Sequence, residues 1–358
     1  MLVLTHGPRA ARSVHRALNP AHLLSRSYAS RISVPFTPSP VPVVDSCPAP
    51  TCQCRDLPPN LDIEREQNIN GSMASYAEQI LISTGRSDWK SRIEDEDEAV
   101  LVKRLKGLLG PKGKYSDPYH NVMITNSSFP PEPTRSMEPT AGSAKEVPAQ
   151  PSKTASAYLL PSFQYIPSIS TEPSAVENFV KAFILPSELH KSHDVLSDEQ
   201  KNALRRAPER QRQFSGARPV NEVLVLICGH GGRDERCGKL GPVLQAEFEE
   251  KLKLHEFTIH QEGPETDNVP ANPSIEGFSP TARVGLISHI GGHKWAGNII
   301  VYIPPNCSSN ALAGKGIWYG RVGPEHVEGI VAKTILEGKV IKELFRGGID
   351  QNGKILRL

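Results

Sequence analysis

The sequence predicts a mixed α/β protein, and three observations carry that expectation. The last third holds short, nearly continuous apolar runs of the kind a sheet buries on both faces, residues 222–227 above all. Between these runs lies a segment of helical period in which Leu240, Val243, Leu244, Phe248 and Leu252 share one side. The 32 prolines gather in the chain between such segments, so they mark connections rather than elements. Composition removes several function classes. With 41 basic against 39 acidic residues the net charge is +2, which gives no electrostatic case for a nucleic-acid partner. The longest apolar run, Val223–Cys228, is far too short for a membrane span. Six cysteines in 358 residues do not make a secreted disulfide scaffold.

Taken in order, residues 1–44 contain Arg9, Arg12, Arg16, Arg26 and Arg31 and no acid. Arg-rich, Ser-containing and acid-free is the composition of a mitochondrial transit peptide running into a Pro-rich leader, so the mitochondrial matrix is expected. Those five arginines exceed the whole net charge, which leaves the rest of the chain slightly acidic. Residues 45–60 form a Cys-containing segment with Cys47, Cys52 and Cys54.

A first α/β region is expected over 61–185. Residues 76–85 read as a strand closing on Gly85, 89–109 as a helix, 122–125 and 156–160 as strands, and 175–185 as a short helix. The acidic run 94–98 would sit at the N-terminal end of the first helix, where it suits the dipole. Residues 127–153, dominated by Pro, Ser, Thr and Glu, read as a disordered insertion. Residues 186–219 read as a linker, and no repeat of sequence period is visible.

The second region, 220–349, is more regular, with strands at 222–227, 283–287, 298–303 and 316–322. Pro324 opens a closing helix at the position where its missing N–H costs nothing. Strand, helix, further strands and a final helix is a thioredoxin-like order, followed here by a short tail at 350–358.

Two residue clusters fall on Gly-rich loops at strand ends. The first is Cys228-Gly229-His230-Gly231-Gly232-Arg233-Asp234-Glu235-Arg236-Cys237, and the second is His289-Ile290-Gly291-Gly292-His293-Lys294-Trp295-Ala296-Gly297-Asn298. A phosphatase-type loop would need Arg where Asp234 stands, and a dinucleotide fingerprint would need Gly at the same place. There is no Cys-x-x-Cys. Metal ligation survives: two thiolates and two imidazoles, Cys228, Cys237, His289 and His293, suit either zinc or a [2Fe–2S] cluster. Eight residues between the cysteines is wide for zinc and favours the larger group. His230, Arg233, Lys294 and Asn298 are candidates to support those donors. Cys47, Cys52 and Cys54 are candidate redox thiols, whereas Cys307 reads as a plain thiol.

These two clusters, with Ile317-Trp318-Tyr319-Gly320-Arg321-Val322, the early Cys47–Cys54 element and Gly85-Arg86-Ser87-Asp88-Trp89, resemble the sucrase/ferredoxin-like family. The resemblance implies a C-terminal thioredoxin-like [2Fe–2S] ferredoxin domain preceded by a diverged thioredoxin-like region without a cluster. It implies that Cys228 and Cys237 hold one iron and that His289 and His293 hold the other. Neutral imidazole donors would raise the potential toward the Rieske range, roughly −150 to +300 mV. The expected role is one-electron transfer, redox sensing or thiol redox quality control. The partner would be an unidentified redox protein or a thiol-containing client, rather than a small-molecule substrate. A zinc-stabilised interaction module and a thiol oxidoreductase using the N-terminal cysteines are the alternatives. No paired-carboxylate motif for sugar chemistry is present.

Overall fold

The computed structural model describes residues 39–132, 154–262 and 280–358. The expected transit peptide lies outside the described residues up to position 38, and the expected insertion lies outside them from position 133.

After a short strand β1 (Val43–Val44), the first half contains β2 (Glu78–Ser83), α1 (Val100–Leu109), β3 (Val122–Ser127), β4 (Thr154–Leu160), β5 (Gln164–Ser170) and α2 (Pro173–Phe179). Then come α3 (Asp198–Leu204) and β6 (Arg218–Pro219). The second half contains β7 (Val223–Cys228), α4 (Glu235–Leu254), β8 (Thr258–Ile259), β9 (Thr281–Ile287), β10 (Ile299–Ile303), β11 (Lys315–Tyr319) and α5 (Pro324–Ile330). It closes with β12 (Val340–Ile341), β13 (Phe345–Asp350) and β14 (Ile355–Leu356).

Several elements differ from the sequence expectation. The helix expected at 89–109 starts only at Val100, and Ile93–Asp95 is a separate 3-10 turn. Its acids are used locally instead of along a helix end. Glu96 pairs with Arg86 at 2.8 Å and accepts the Lys90 N–H, which folds 86–96 into a loop. The stretch 186–219, expected as a linker, holds α3, whose Ser197 and Gln200 form a reciprocal capping box. It also brings Phe214 against Phe179 and Phe183. The expected tail contributes β14 to the sheet.

The strands form one mixed sheet of twelve, ordered β14-β13-β11-β10-β7-β9-β3-β2-β4-β5-β6, with β8 beside β9. The same path occurs in it twice. From β2 the chain passes through α1 to its parallel neighbour β3, then to antiparallel β4 on the other side, then β5 and α2. From β7 it passes through α4 to parallel β9, then to antiparallel β10, then β11 and α5. Both closing helices begin on a proline and run on into a π-type turn, Val180–Ile184 and Val331–Leu336.

The halves meet where β3 lies antiparallel to β9, Ser127 opposite Ile287. The bonds at this joint are reciprocal. Ser128 donates its N–H to Leu286 O (2.8 Å) and its Oγ accepts the Leu286 N–H (3.0 Å). Ser288 donates to Asn126 O (2.9 Å) and accepts the Asn126 N–H (2.9 Å). An approximate twofold axis therefore passes through the joint.

The strongest core lies at β7 and β10, every residue of which is buried. Residues 39–73 cross the second half as a strap. β1 pairs with β12, Arg55 bonds Glu247 on α4, and Asn70 Nδ2 donates to the Leu358 carbonyl. Among the described residues no helix is long and apolar enough to cross a membrane.

Candidate metal centre

The parallel neighbours β7 and β9 end at the same sheet edge, with Cys228 opposite Ile287. Carboxyl ends of parallel strands leave room for a ligand there. Cys228 is the last residue of β7, and His289 lies two residues past β9. Asp234 caps α4 by accepting the Arg236 N–H (3.1 Å), which places Cys237 in the first helical turn. The Gly-rich loop between the cysteines presses on that helix. A Cβ on Gly238 would stand 2.5 Å from Gly231 Cα, and one on Gly241 would stand 2.7 Å from Gly229 Cα. In the second loop Gly291 and Gly292 take φ of 84° and 78°, the left-handed turn that brings His293 back beside His289. The two imidazoles lie 5.3 Å apart, centroid to centroid, at 39°.

All four candidate ligands thus gather at one edge, as two pairs. Cys228 and Cys237 are free thiols, 2 % and 0 % exposed, in contact with each other. The hydrogen bond with Cys237 holds the Cys228 thiol well below its usual range against the effect of burial, and the His289 ring helps. The same bond, with burial, pushes Cys237 up. His289 Nδ1 and His293 Nδ1 are buried with no hydrogen-bond partner. Buried, unpartnered nitrogens are costly, and metal ligation is one way to satisfy them. Among the described residues no three His, Cys, Asp or Glu side chains gather as a single bound ion would need.

The supporting candidates separate into two sets. His230, 1 % exposed, is a cross-brace. Its Nδ1 accepts the His289 N–H (3.0 Å), and its Nε2 points between the carbonyls of Trp89 (3.1 Å) and Lys90 (2.9 Å). That arrangement puts the proton on Nε2. Asn298 is buried, donating to Gly292 O (2.9 Å), while its backbone carbonyl accepts the Cys228 N–H (2.9 Å). Arg233 and Lys294 are exposed and turn away, to Ser91 Oγ and Gln67 Oε1.

Sequence reasoning missed Arg346 on β13. It is 1 % exposed and bonds Asn298 Oδ1 (2.6 Å), Gly291 O (3.1 Å) and Ser72 O (3.0 Å). Burial lowers its pKa to about 10, and the only charge opposing that fall is Cys228. Among the described residues no carboxylate pairs with it. A polar side chain between Phe345 and Gly347-Gly348 in an apolar stretch was the available signal. Asp88 was missed as well, although its carboxylate accepts the Gly232 N–H at 3.1 Å.

By the repeated topology and strand register, Ser83 takes the place of Cys228 in the first half, and Phe129 takes that of His289. A hydroxyl and a buried phenyl ring replace two of the four donors. A cavity of about 200 Å³ lies at the corresponding ends of β2 and β3, lined by Ser83, Arg86 and Asn126.

The N-terminal thiols lie elsewhere. Cys47 packs over Gly329 on α5, donates to His326 O (3.5 Å), and is pushed up to about 12 by burial and by Glu343 and Glu325. Cys52 is exposed and Cys54 half-buried. Burial raises the thiols of Cys54 and Cys307.

The model of the sucrase/ferredoxin-like family matches residues 69–347. Curated relatives named altered inheritance of mitochondria protein 32 include one from Debaryomyces hansenii, 30 % identical over 86 % of this chain and 96 % of that protein. One from Meyerozyma guilliermondii is 27 % identical over 86 % of this chain and 95 % of its own length. One from Clavispora lusitaniae is 42 % identical over 36 % of each chain. No solved structure matches. The family match spans both halves of the sheet and both ligand loops, and the chain belongs to the sucrase/ferredoxin-like family.

Proposed function

We propose that Cys228, Cys237, His289 and His293 hold a [2Fe–2S] cluster, the cysteines on one iron and the histidines on the other. The protein then acts in one-electron transfer or redox sensing, its partner a redox protein or a thiol-containing client. When bound, such a cluster takes up and releases a single electron.

The observation that carries the proposal is the state of the donors. Two buried free thiols and two buried, unpartnered imidazole nitrogens converge on one sheet edge. Two thiols and two imidazoles suit a binuclear group with two donors on each iron, and the eight residues between the cysteines are wide for zinc. Arg346 is consistent with the same reading. A buried guanidinium without a carboxylate is expensive, and an anionic group beside Cys228 would offset it.

The remaining residues hold and orient. Asn298 and Arg346 fix the histidine loop, and His230 ties His289 to the first half of the molecule. The proposed thioredoxin-like character of each half rests on the repeated strand and helix order. A mitochondrial place, in the matrix, rests on the five arginines without acids before Asp45. The names of the relatives refer to mitochondria as well.

Protein purified without oxygen is expected to be coloured and to carry two irons and two acid-labile sulfides per chain. Cys228→Ser or His293→Ala should abolish the colour, and Cys47→Ser should leave it. A colourless protein with one zinc per chain would overturn the proposal.

A further inference from the structure

The strap that crosses α4 and α5 carries a second sulfur site, unconnected with the metal centre. Lys251 on α4 is only 2 % exposed, yet its ammonium reaches Cys52 Sγ at 2.8 Å. Behind it, Glu247, 1 % exposed, lies 3.2 Å away. The hydrogen bond to Cys52 comes first among the causes that raise Lys251, with Glu247 adding to it, so the buried cation stays charged. Glu328 Oε2 faces the same sulfur from α5 at 3.2 Å. Cys54, two residues on, turns its Sγ toward the Cys52 carbonyl at 3.7 Å. Lys251 is fourteen residues beyond Cys237 on the same helix, about 21 Å along the axis.

We propose that Cys52 and Cys54 form a peroxide-sensitive thiol pair, with Cys52 the attacking sulfur and Cys54 the resolving one. In the first step Cys52 sulfur attacks one oxygen of hydrogen peroxide. The S–O bond forms and the O–O bond breaks, and water leaves with the thiol proton. Sulfur is oxidised to a sulfenic acid while the peroxide is reduced. In the second step Cys54 sulfur attacks that sulfur, the S–O bond breaks, and a second water departs, leaving a Cys52–Cys54 disulfide. The ammonium of Lys251 stabilises the charge that develops on the attacking sulfur and the departing oxygen.

The charges choose the oxidant. Glu247 lies against the buried lysine and Glu328 against the sulfur, while Arg55 pairs with Glu247 and with Glu250 beside them. Carboxylates in that number repel an anionic disulfide such as oxidised glutathione and leave neutral peroxide unhindered. Cys47 stays out of the reaction because its sulfur is packed on Gly329 beside Glu343 and Glu325.

The test uses the full chain, treated with stoichiometric hydrogen peroxide, alkylated and mapped as peptides without reduction. The peptide holding residues 52–54 should escape alkylation at both cysteines and appear two hydrogens lighter than its unalkylated dithiol form before Cys47 or Cys307 is touched. In Cys54→Ser, dimedone should label Cys52. Lys251→Met, shown by its urea midpoint to be folded, should slow Cys52 oxidation about tenfold, the effect of losing one charge-assisted hydrogen bond to the reacting atom. Oxidised glutathione at equal concentration should modify Cys52 more slowly than peroxide does. Oxidation of Cys47 at the rate of Cys52, or an unchanged rate in Lys251→Met, would overturn the proposal. Each readout is a peptide mass, so neither result depends on the metal centre.

Discussion

At the scale of single residues, Arg346 and His230 brace the histidine loop from inside the molecule while its two candidate ligands stay half-buried. Arg346 satisfies Gly291 O, Asn298 Oδ1 and Ser72 O from inside the molecule. Arg346→Met strands these acceptors, and a loss of about 2–4 kcal/mol is expected from urea unfolding, with weakened retention of the proposed cluster's colour. Glu78 makes a pH prediction. It is almost wholly buried, and burial raises its carboxyl to about 7 from the ordinary 4.5, opposed by hydrogen bonds from Ser162 and by Arg206. Between those two values the unfolded chain ionises while the folded carboxyl stays protonated, so rising pH favours the unfolded chain. Its contribution is therefore fully present below about pH 4.5 and is lost as pH rises through about 7, an effect of about 3 kcal/mol. Glu78→Gln keeps an acceptor for Ser162 and should flatten the fall in urea midpoint between pH 5 and pH 8 relative to the parent chain. An equal slope in both chains would refute this. Cys228, Cys237, His289 and His293 could be proposed as ligands from the sequence because each pair is local in the chain. Arg346 was not legible there, since its partners lie 48 to 274 residues away.

At the scale of elements, α4 carries the site at its first turn, and its glycines are what let the cysteine loop lie on it. In an exposed helix Gly→Ala stabilises by about 1 kcal/mol. Gly238→Ala should do the opposite here, because the new Cβ would sit 2.5 Å from the Gly231 backbone, which has no flexible side chain to yield. A lowered urea midpoint together with bleaching of the proposed cluster is the expected result. A rise in midpoint would show that loop and helix are not in contact. The periodicity of α4 and the apolar run of β7 were both readable, since α4 buries one continuous face and β7 is buried throughout. The helix expected at 89–109 was misplaced because Glu96 serves Arg86 and Lys90 instead of a helix end. The strand β5 escaped notice because Pro167 interrupts its pattern.

At the scale of the whole molecule, two copies of one path share a single sheet, and only one copy keeps the four donors. The twofold was illegible because no side-chain pattern repeats: Ser83 stands for Cys228 and Phe129 for His289. Its first half still serves the site, through Asp88 and the carbonyls of Trp89 and Lys90. A continuous sheet and this bracing predict that both halves unfold together. Urea transitions followed by the fluorescence of Trp89 alone and of Trp318 alone should share a midpoint, and separate midpoints would contradict that coupling. The proposed chemistry turns on the paired ligation of two irons. Pulsed electron-spin resonance of the reduced protein, prepared without oxygen, reads it most directly. The expected result is a [2Fe–2S] signal coupled to nitrogens of two histidines, with one coupling lost in His289→Cys or His293→Cys. A reduced signal with no histidine nitrogen coupling would contradict it.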